Sequence, residues 1–476
     1  MKCWIYTQSS QFQKDIDNGI ITELNNVSLT YSNYCHYADS PSSVREKYPY
    51  DGQVPEETYA SQANLIFSWI SSILSIGGMI GALFSAPLLV DKLKFDRKMC
   101  LIIIYLIFMI SAMFSALATD YQIFNSWEVL LVSRIFSGLA AGSATAISTN
   151  YLAELGHLNS QNSKDGAVGG LYGYSFNLFV VTGSSASQVM GHHYVLGTAT
   201  LWYLIFWTQC AVAFIGLLLI FFSYETYFPE NKSEVVQDTE VTNSPSLMIK
   251  LKNIKNDPLQ IGNQTTLSIL LVGIHLMMCQ QFNGINSFMF YSNIVLKATG
   301  LNRNEIDIWV IFLSIGLILG TILGVAFSRH KGHLNYLGYR PLMLNTMIFL
   351  AICNFIFTIF TIYSEKATIL AYIQIGWIFL FEIAFAVGPG AIPWFYIPYF
   401  MPENNPNREF MQSIACFVNW LSMFVVTLLF PILDQAMGAY VFIIFGVFCV
   451  YAAVVIFLRM GEFKNLAQPQ RLIQSD

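Results

Sequence analysis

The chain has 476 residues, of which 55% are hydrophobic, 15% aromatic and only 11% charged. Soluble domains carry roughly 25% charged residues, and apolar surface on this scale does not persist in water, so the composition excludes an ordinary soluble globule. The formal net charge of -5 is small for this length and points to neither nucleic acid nor a polyanion as partner.

Residues 1–64 are polar and hold Asn26-Val27-Ser28, an N-glycosylation sequon. No cleavable signal peptide is visible, because Met1 to Tyr6 is too short for an apolar core. A helix needs about 20 mostly apolar residues to cross the hydrocarbon. Such runs occur at 65–90, 99–118, 129–151, 166–191 and 199–222, then at 266–292, 306–328, 341–363, 368–398, 410–433 and 438–458, about eleven in all. The pattern predicts an all-α membrane protein with an N-terminal bundle over 65–222, a polar linker over 223–265, a C-terminal bundle over 266–458 and a tail over 459–476. Cys100, Cys210, Cys279, Cys353, Cys416 and Cys449 lie in or beside the apolar runs without metal-ligand spacing and read as small buried side chains. Only Cys3 and Cys35 lie in a polar stretch where pairing is conceivable.

Lys and Arg near span ends are retained on the cytoplasmic side, and here alternate loops carry them. Lys92, Lys94, Arg97 and Lys98 follow the first run, and Lys232, Lys250, Lys252 and Lys255 lie in the linker. Arg329, Lys331 and Arg340, then Arg408, then Arg459, Lys464 and Arg471 keep the same register, while the opposite loops hold chiefly Lys297, Arg303 and Lys366. Residues 1–64 are therefore expected outside, and the linker and the carboxyl terminus inside. Five runs, a long inner loop and six runs match a two-bundle transporter without its first helix. Such repeats place the substrate near the midplane between the halves.

In the third run Arg134 is followed by Gly138, Gly142, Tyr151 and Glu154, and glycines four residues apart favour close helix packing. Arg134 and Glu154 are too far apart to pair along one helix, so each needs a partner elsewhere or must reach the interface. The sixth run contains Gln280-Gln281-Phe282-Asn283-Gly284-Ile285-Asn286 and then Phe290-Tyr291-Ser292. Amides this dense are costly in lipid unless they face a polar cavity or glue helices together. Because amides both donate and accept, they suit sugar hydroxyls better than a charged ligand. On a regular helix Gln281 and Asn286 would point about 140° apart, but Gly284 permits a local break. In the ninth run Gly388-Pro389-Gly390-Ala391-Ile392-Pro393-Trp394 predicts a broken or bent helix that could gate the pathway. Trp394 there can stack on a sugar ring, and Asn419-Trp420 adds a polar and aromatic pair in the tenth run.

From about Trp69 to Lys464 these segments resemble the hexose facilitators of the sugar porter family in the major facilitator superfamily. The third run matches the family's Arg, two Gly, Tyr and Glu, with Thr149 where a proline is usual. Gln280, Gln281, Gly284, Ile285 and Asn286 match its sugar-binding signature, and Gly388 to Trp394 its gating helix with Ala391 for a proline. Gly170-Leu171-Tyr172-Gly173, Glu225-Thr226 and Gly461-Glu462-Phe463-Lys464 are similar to its flanking and terminal motifs. The resemblance implies a sugar held by Gln280, Gln281 and Asn286, with Trp394 closing on it and Phe385 and Trp420 lining the cavity. Asn177 stands at the position of a family glutamine. By the same resemblance Arg134, Glu154, Glu225 and Arg408, with Gly388, Pro389 and Pro393, serve gating and structure.

The chain also departs from that pattern. No counterpart of the family's first helix, which carries an acidic residue in proton-coupled members, precedes Leu65. The segment Asp91 to Lys98 lacks the usual Gly-Arg-Arg, and Tyr399 stands where a glutamate is usual, which predicts a weakened cytoplasmic latch. Ala386 replaces the cavity glutamate, and Glu382 lies one turn earlier. The reading is facilitated hexose transport at a membrane, most plausibly the plasma membrane, with lipid and a small sugar as partners and no cofactor. The alternatives are a proton-coupled symporter using Glu382 and a non-transporting sugar receptor or inactive homologue. No nucleophile, base and orienting group converge as an enzyme would require.

With residues 1–64 outside, Asn26 is expected to carry glycan. A glycosidase-sensitive mass shift that disappears in Asn26→Gln is the expected result, and glycan at Asn231 or Asn263 would reverse the orientation.

Overall fold

The computed structural model describes residues 56–119, 126–162, 168–192, 194–197, 201–223, 247–261, 263–289, 303–328, 338–363, 368–402 and 404–461. Cys3, Asn26, Cys35, Glu225, Asn231, the Phe290-Tyr291-Ser292 triplet and the tail motif from Glu462 lie outside them.

Helix α1 spans Glu56–Ser85, α2 Arg97–Thr119, α3 Trp127–Asn162, α4 Val168–Met190 and α5 Leu204–Ile220. A short α6, Leu247–Lys255, and a two-stranded antiparallel pair, β1 Gln260–Ile261 and β2 Gln264–Thr265, lead into α7, Thr266–Phe282. Then follow α8 Arg303–Ser328, α9 Tyr339–Tyr363, α10 Thr368–Val387, α11 Ile392–Phe400, α12 Arg408–Met437 and α13 Val441–Arg459. Among the described residues eight stretches are long and apolar enough to cross a membrane, and one of them, Arg408–Arg459, comprises both α12 and α13. Helices α4 and the shorter α5 occupy the expected runs 166–191 and 199–222, so each expected run is found as helix. The run 368–398 is two helices, α10 and α11, separated at 388–391. This is a multi-pass membrane protein.

Several helix ends follow from single residues. Pro87 has no N–H to donate, and α1 widens there into a π-helical turn, Ala86–Lys92. Leu93 N–H bonds Leu88 O at 2.9 Å, five residues back. Lys94 turns the chain at φ 56°, and the Asp96 carboxylate accepts from Met99 N–H at 2.6 Å, which starts α2 at Arg97. Thr265 caps α7 in the same way, its hydroxyl accepting from Ser268 N–H at 3.3 Å.

Helices α1 to α5 pack as one bundle and α7 to α13 as another, and the two meet where α1 and α3 cross α12 and where α4 lies along α8. Most of the buried apolar core lies in the second bundle, with Ala82, Ala146, Tyr174 and Val181 reaching into it from the first. Smaller clusters hold the first bundle, around Ile70, Leu130 and Trp202 and around Val90, Ile104 and Ile147. Lipid is as apolar as a leucine side chain, so small and polar contacts are needed to join helices there. Two serine pairs, Ser111 with Ser137 and Ser115 with Ser133, join α2 to α3 at 2.8 Å each. Outward-facing Phe179, Val212, Ile215 and Leu219 are exposed, as a lipid-facing surface requires. Among the described residues Cys100, Cys210, Cys279, Cys353, Cys416 and Cys449 form no disulfide with one another.

The glycines expected to pack closely do so. A Cβ on Gly138 would lie 2.0 Å from Leu74 O, and one on Gly142 2.0 Å from Gly78 O, so both allow α1 and α3 to touch backbone to backbone. Gly142→Val should therefore lower the thermal stability of the purified protein by about 1–3 kcal/mol, the usual penalty of overpacking. Unchanged melting of that variant in detergent would place the α1–α3 contact elsewhere.

Candidate functional site

The break between α10 and α11 creates the chemistry around which the site is built. Pro389 and Pro393 have no N–H, so the carbonyls of Phe385 and Pro389 lose their helical donors. Gly390 N–H takes the first, bonding Phe385 O at 2.7 Å. Ala391 N–H turns to Gly388 O at 3.2 Å and Trp394 N–H to Ala391 O at 3.3 Å, which frees Val387 O and Gly390 O as well. Lipid offers no replacement donor. Gln280 supplies one from α7, its amide nitrogen donating to Pro389 O at 2.9 Å and to Gly390 O at 3.0 Å. Tyr174 supplies the other from α4 in the opposite bundle, its hydroxyl donating to Val387 O at 2.7 Å. Gly388 sits against Thr346, whose Oγ1 would be 2.1 Å from a Cβ there.

Gln280 also begins a chain of neutral amides. Its oxygen accepts from Asn419 Nδ2 at 2.6 Å, Asn419 Oδ1 accepts from Gln281 Nε2 at 2.9 Å, and Gln281 Oε1 accepts from Asn286 Nδ2 at 2.6 Å. Asn286 reaches Gln281 because α7 ends at Phe282 and Gly284 adopts φ 97°, a left-handed backbone that glycine tolerates. Asn283 stabilises the break, donating to Cys279 O at 2.9 Å and accepting from Ile285 N–H at 2.9 Å. Asn354 on α9 donates to Asn283 O at 3.1 Å. All four amides of the chain are buried. Sequence reading noted Asn419 only as the neighbour of Trp420; its place between Gln280 and Gln281 comes from α12 packing on α7.

The aromatic residues lie where the bundles meet. Trp394 is half-buried, its ring 5.4 Å from Phe176 on α4, and it borders a small, mainly apolar pocket with Thr149, Ala153, Phe176 and Tyr399. Its carbonyl accepts from Gln412 Nε2 at 3.2 Å. Trp420 crosses to the first bundle, lying over Gly78 and donating to Thr145 Oγ1 at 3.2 Å. Phe385 is buried beside Gly390. Asn177 donates across the seam to Thr321 Oγ1 on α8 at 2.9 Å. Glu382 is buried on α10, and its Oε2 has no hydrogen-bond partner among the described residues.

At one end of the bundles Glu154 accepts from Arg97 at 2.5 Å and from Arg408 at 3.2 Å. Arg97 also bonds Glu409 through two nitrogens, one of them at 3.2 Å, and Asn150 donates to Glu409 at 2.9 Å. Arg408 further donates to Pro398 O at 3.1 Å. Although the chain lacks the Gly-Arg-Arg and the glutamate at 399, an ion cluster forms here. Arg97 alone reaches both carboxylates, and Glu409, which sequence reading passed over, contributes the second anion. Its position directly after Arg408 at a span end was the available signal. Arg134 takes no part, consistent with its distance from Glu154: it lies over the Phe206 ring at 5.1 Å, and its Nε has no partner among the described residues.

Two helix bundles, broken helices at mid-span and an interbundle ion cluster define a transporter of the major facilitator fold. The solved proton:xylose symporter XylE bound to 6-bromo-6-deoxy-D-glucose superposes with TM-score 0.62 at 17% identity, covering 97% of this chain and 93% of that one. Another D-xylose-proton symporter structure gives TM-score 0.60 at 22% identity, with 85% and 89% coverage. The profile of the family described as "Sugar (and other) transporter" matches residues 10–468, and the chain belongs to that family. Similar relatives include solute carrier family 2, facilitated glucose transporter member 2 of Sus scrofa, 26% identical over 95% of this chain and 89% of that protein. Member 3 of Ovis aries is 28% identical over 86% and 82%.

Among the described residues Glu154 is bonded to two arginines and Glu409 to one. Removing the shared partner of buried charges costs about 3–5 kcal/mol, so Glu154→Gln should lower the melting temperature distinctly more than Glu409→Gln, which leaves Arg97 on Glu154. Equal losses would contradict the central place of Glu154.

Proposed function

We propose that the protein carries a hexose across a membrane, the plasma membrane in the first instance, by uncoupled alternating access. The observation that carries this reading is the unbroken chain of neutral amides from Asn286 to Gln280, ending on the carbonyls of the α10–α11 break. Amides exchange hydrogen bonds with hydroxyl groups at little cost, because each sugar hydroxyl both donates and accepts. In the resting chain they satisfy one another. A sugar entering between the bundles replaces the hydrogen bond between Gln281 and Asn286 with its own hydroxyls, and Trp394 closes over the apolar face of the ring. Phe385 and Trp420 line the path, and Asn177 reaches it from α4. Since Gln280 also holds Pro389 O and Gly390 O, a shift in the amides is transmitted to the hinge below Trp394.

The ends bearing Arg97, Glu154, Arg408 and Glu409 are cytoplasmic in this reading, with residues 1–64 outside and the 223–265 linker inside. The ion cluster then closes the inner side while the outer side admits the sugar. The relatives' names speak for glucose or a near analogue, as does the absence of charge from the amide chain itself. Ala386 cannot titrate, and the buried Glu382 Oε2 has no hydrogen-bond partner among the described residues, which speaks against the link between protonation and sugar affinity that symport would require.

Reconstituted protein should show saturable, stereoselective uptake of D-glucose without ATP and without accumulation when the outside is acidified. Gln281→Ala should raise the half-saturation concentration about two- to tenfold, the effect of losing one hydrogen bond of 0.5–1.5 kcal/mol. No uptake of any hexose would overturn the proposal. Proton-driven accumulation abolished by Glu382→Gln would convert it to symport.

A further inference from the structure

The seam between α4 and α8 is joined at several depths. Along α4, Tyr174, Asn177, Val181 and Ser185 fall on one face at helical spacing. Asn177 donates to Thr321, Val181 is buried in the core of the opposite bundle, and Ser185 reaches Ser314 O at 3.4 Å. Tyr174 differs from the others in what it holds. It is fully buried, its ring lies 5.7 Å from Phe395 on α11, and its Cε1 would be 2.3 Å from a Cβ at Gly324. A glycine on α8 thus makes the slot that aims the hydroxyl at Val387 O. That carbonyl is one of those freed by the break, because Ala391 N–H has turned away to Gly388 O.

The donors that hold the break therefore come from opposite sides. Gln280 belongs to the same bundle as α10 and α11 and travels with them. Tyr174 belongs to the other bundle, so its bond survives only while the bundles stay together along α4 and α8. When that seam opens, Val387 O loses its donor from the opposite bundle, and leaving it unpaired would cost more than the bond itself contributed. The backbone at 388–391 must then rearrange to give that carbonyl an internal partner, for which Ala391 N–H, four residues on, is the helical candidate.

We propose that Tyr174 is a positioning residue of the transport cycle, whose hydroxyl makes separation of the α4–α8 seam and reshaping of the 388–391 hinge a single event. The inference rests on the alternating-access reading for its role, but its structural content does not depend on which sugar is carried. It also explains why so large a polar side chain is buried at a bundle interface that has to part.

The test compares the full chain in lipid nanodiscs, without sugar, by backbone hydrogen–deuterium exchange. Tyr174→Phe keeps the ring in the Gly324 slot and removes only the hydroxyl. Gly324→Ala displaces the ring and leaves the hydroxyl in the protein. Both should speed exchange of the amides at 388–394 about two- to tenfold, the shift expected of one buried hydrogen bond, while peptides from α2 and α5 stay at wild-type rates. Unchanged exchange at 388–394 in Tyr174→Phe overturns the proposal. So does faster exchange throughout the protein, which would mark the hydroxyl as a general stabiliser. Stereoselective hexose uptake by the same variants reconstituted in sealed proteoliposomes separates the two readings: its absence with the local exchange change intact refutes the sugar assignment and leaves the hinge role standing.

Discussion

A backbone carbonyl without a donor cannot be left in a bilayer, and this requirement organises the middle of the molecule. Pro389 and Pro393 interrupt the ladder between α10 and α11, and the carbonyls that the rearranged backbone leaves without a donor need substitutes from side chains. The substitutes are Gln280 and Tyr174, one from each bundle. Once Gln280 is committed there, its oxygen binds Asn419, and through Asn419 and Gln281 the order extends to Asn286. The amide chain and the α10–α11 break are thus one hydrogen-bonded unit. A polar network of this kind is rigid when every member is satisfied and expensive when one is not.

Charge is handled differently and in a different place. Arg97 begins α2 and Arg408 begins α12, at helix ends whose exposed N–H groups repel cations. Burying guanidinium groups there costs several kcal/mol per ion unless carboxylates accompany them. Glu154 from α3 and Glu409 from α12 do so, and because Glu154 and Arg408 come from opposite bundles, neutralisation requires the bundles to be closed at that end. Such a cluster adds little to folding stability, yet it is specific for one arrangement of the halves. Separation exposes each ion to water and lowers the cost of losing its partner, so the latch can open.

These two solutions divide the molecule by depth. The span ends hold the charges, and the mid-span holds neutral amides, a tyrosine hydroxyl and broken helices. The amide chain offers hydrogen-bonding capacity without net charge, and the ion pairs stand apart from it at one end of the bundles. Among the described residues Glu382, buried on α10 away from the amide chain's bonds, and Arg134 on α3 are exceptions.

Much of this was legible in the chain itself. Run length and charge alternation located the helices because hydrocarbon thickness leaves few other readings of 20 apolar residues. The paired prolines and glycines announced the break, Gly138 and Gly142 a close helix contact, and Gly284 a local irregularity between Gln281 and Asn286. These are local consequences of backbone chemistry, which neighbours in sequence decide. What sequence could not assign were partners. Glu409 joining Arg97 across 312 positions, Asn419 linking Gln280 to Gln281 and Tyr174 reaching Val387 O depend on which helix faces align when the bundles pack. A side chain's hydrogen-bonding capacity is written in its residue type, but its partner is a property of three-dimensional proximity, and only the tertiary structure determined that.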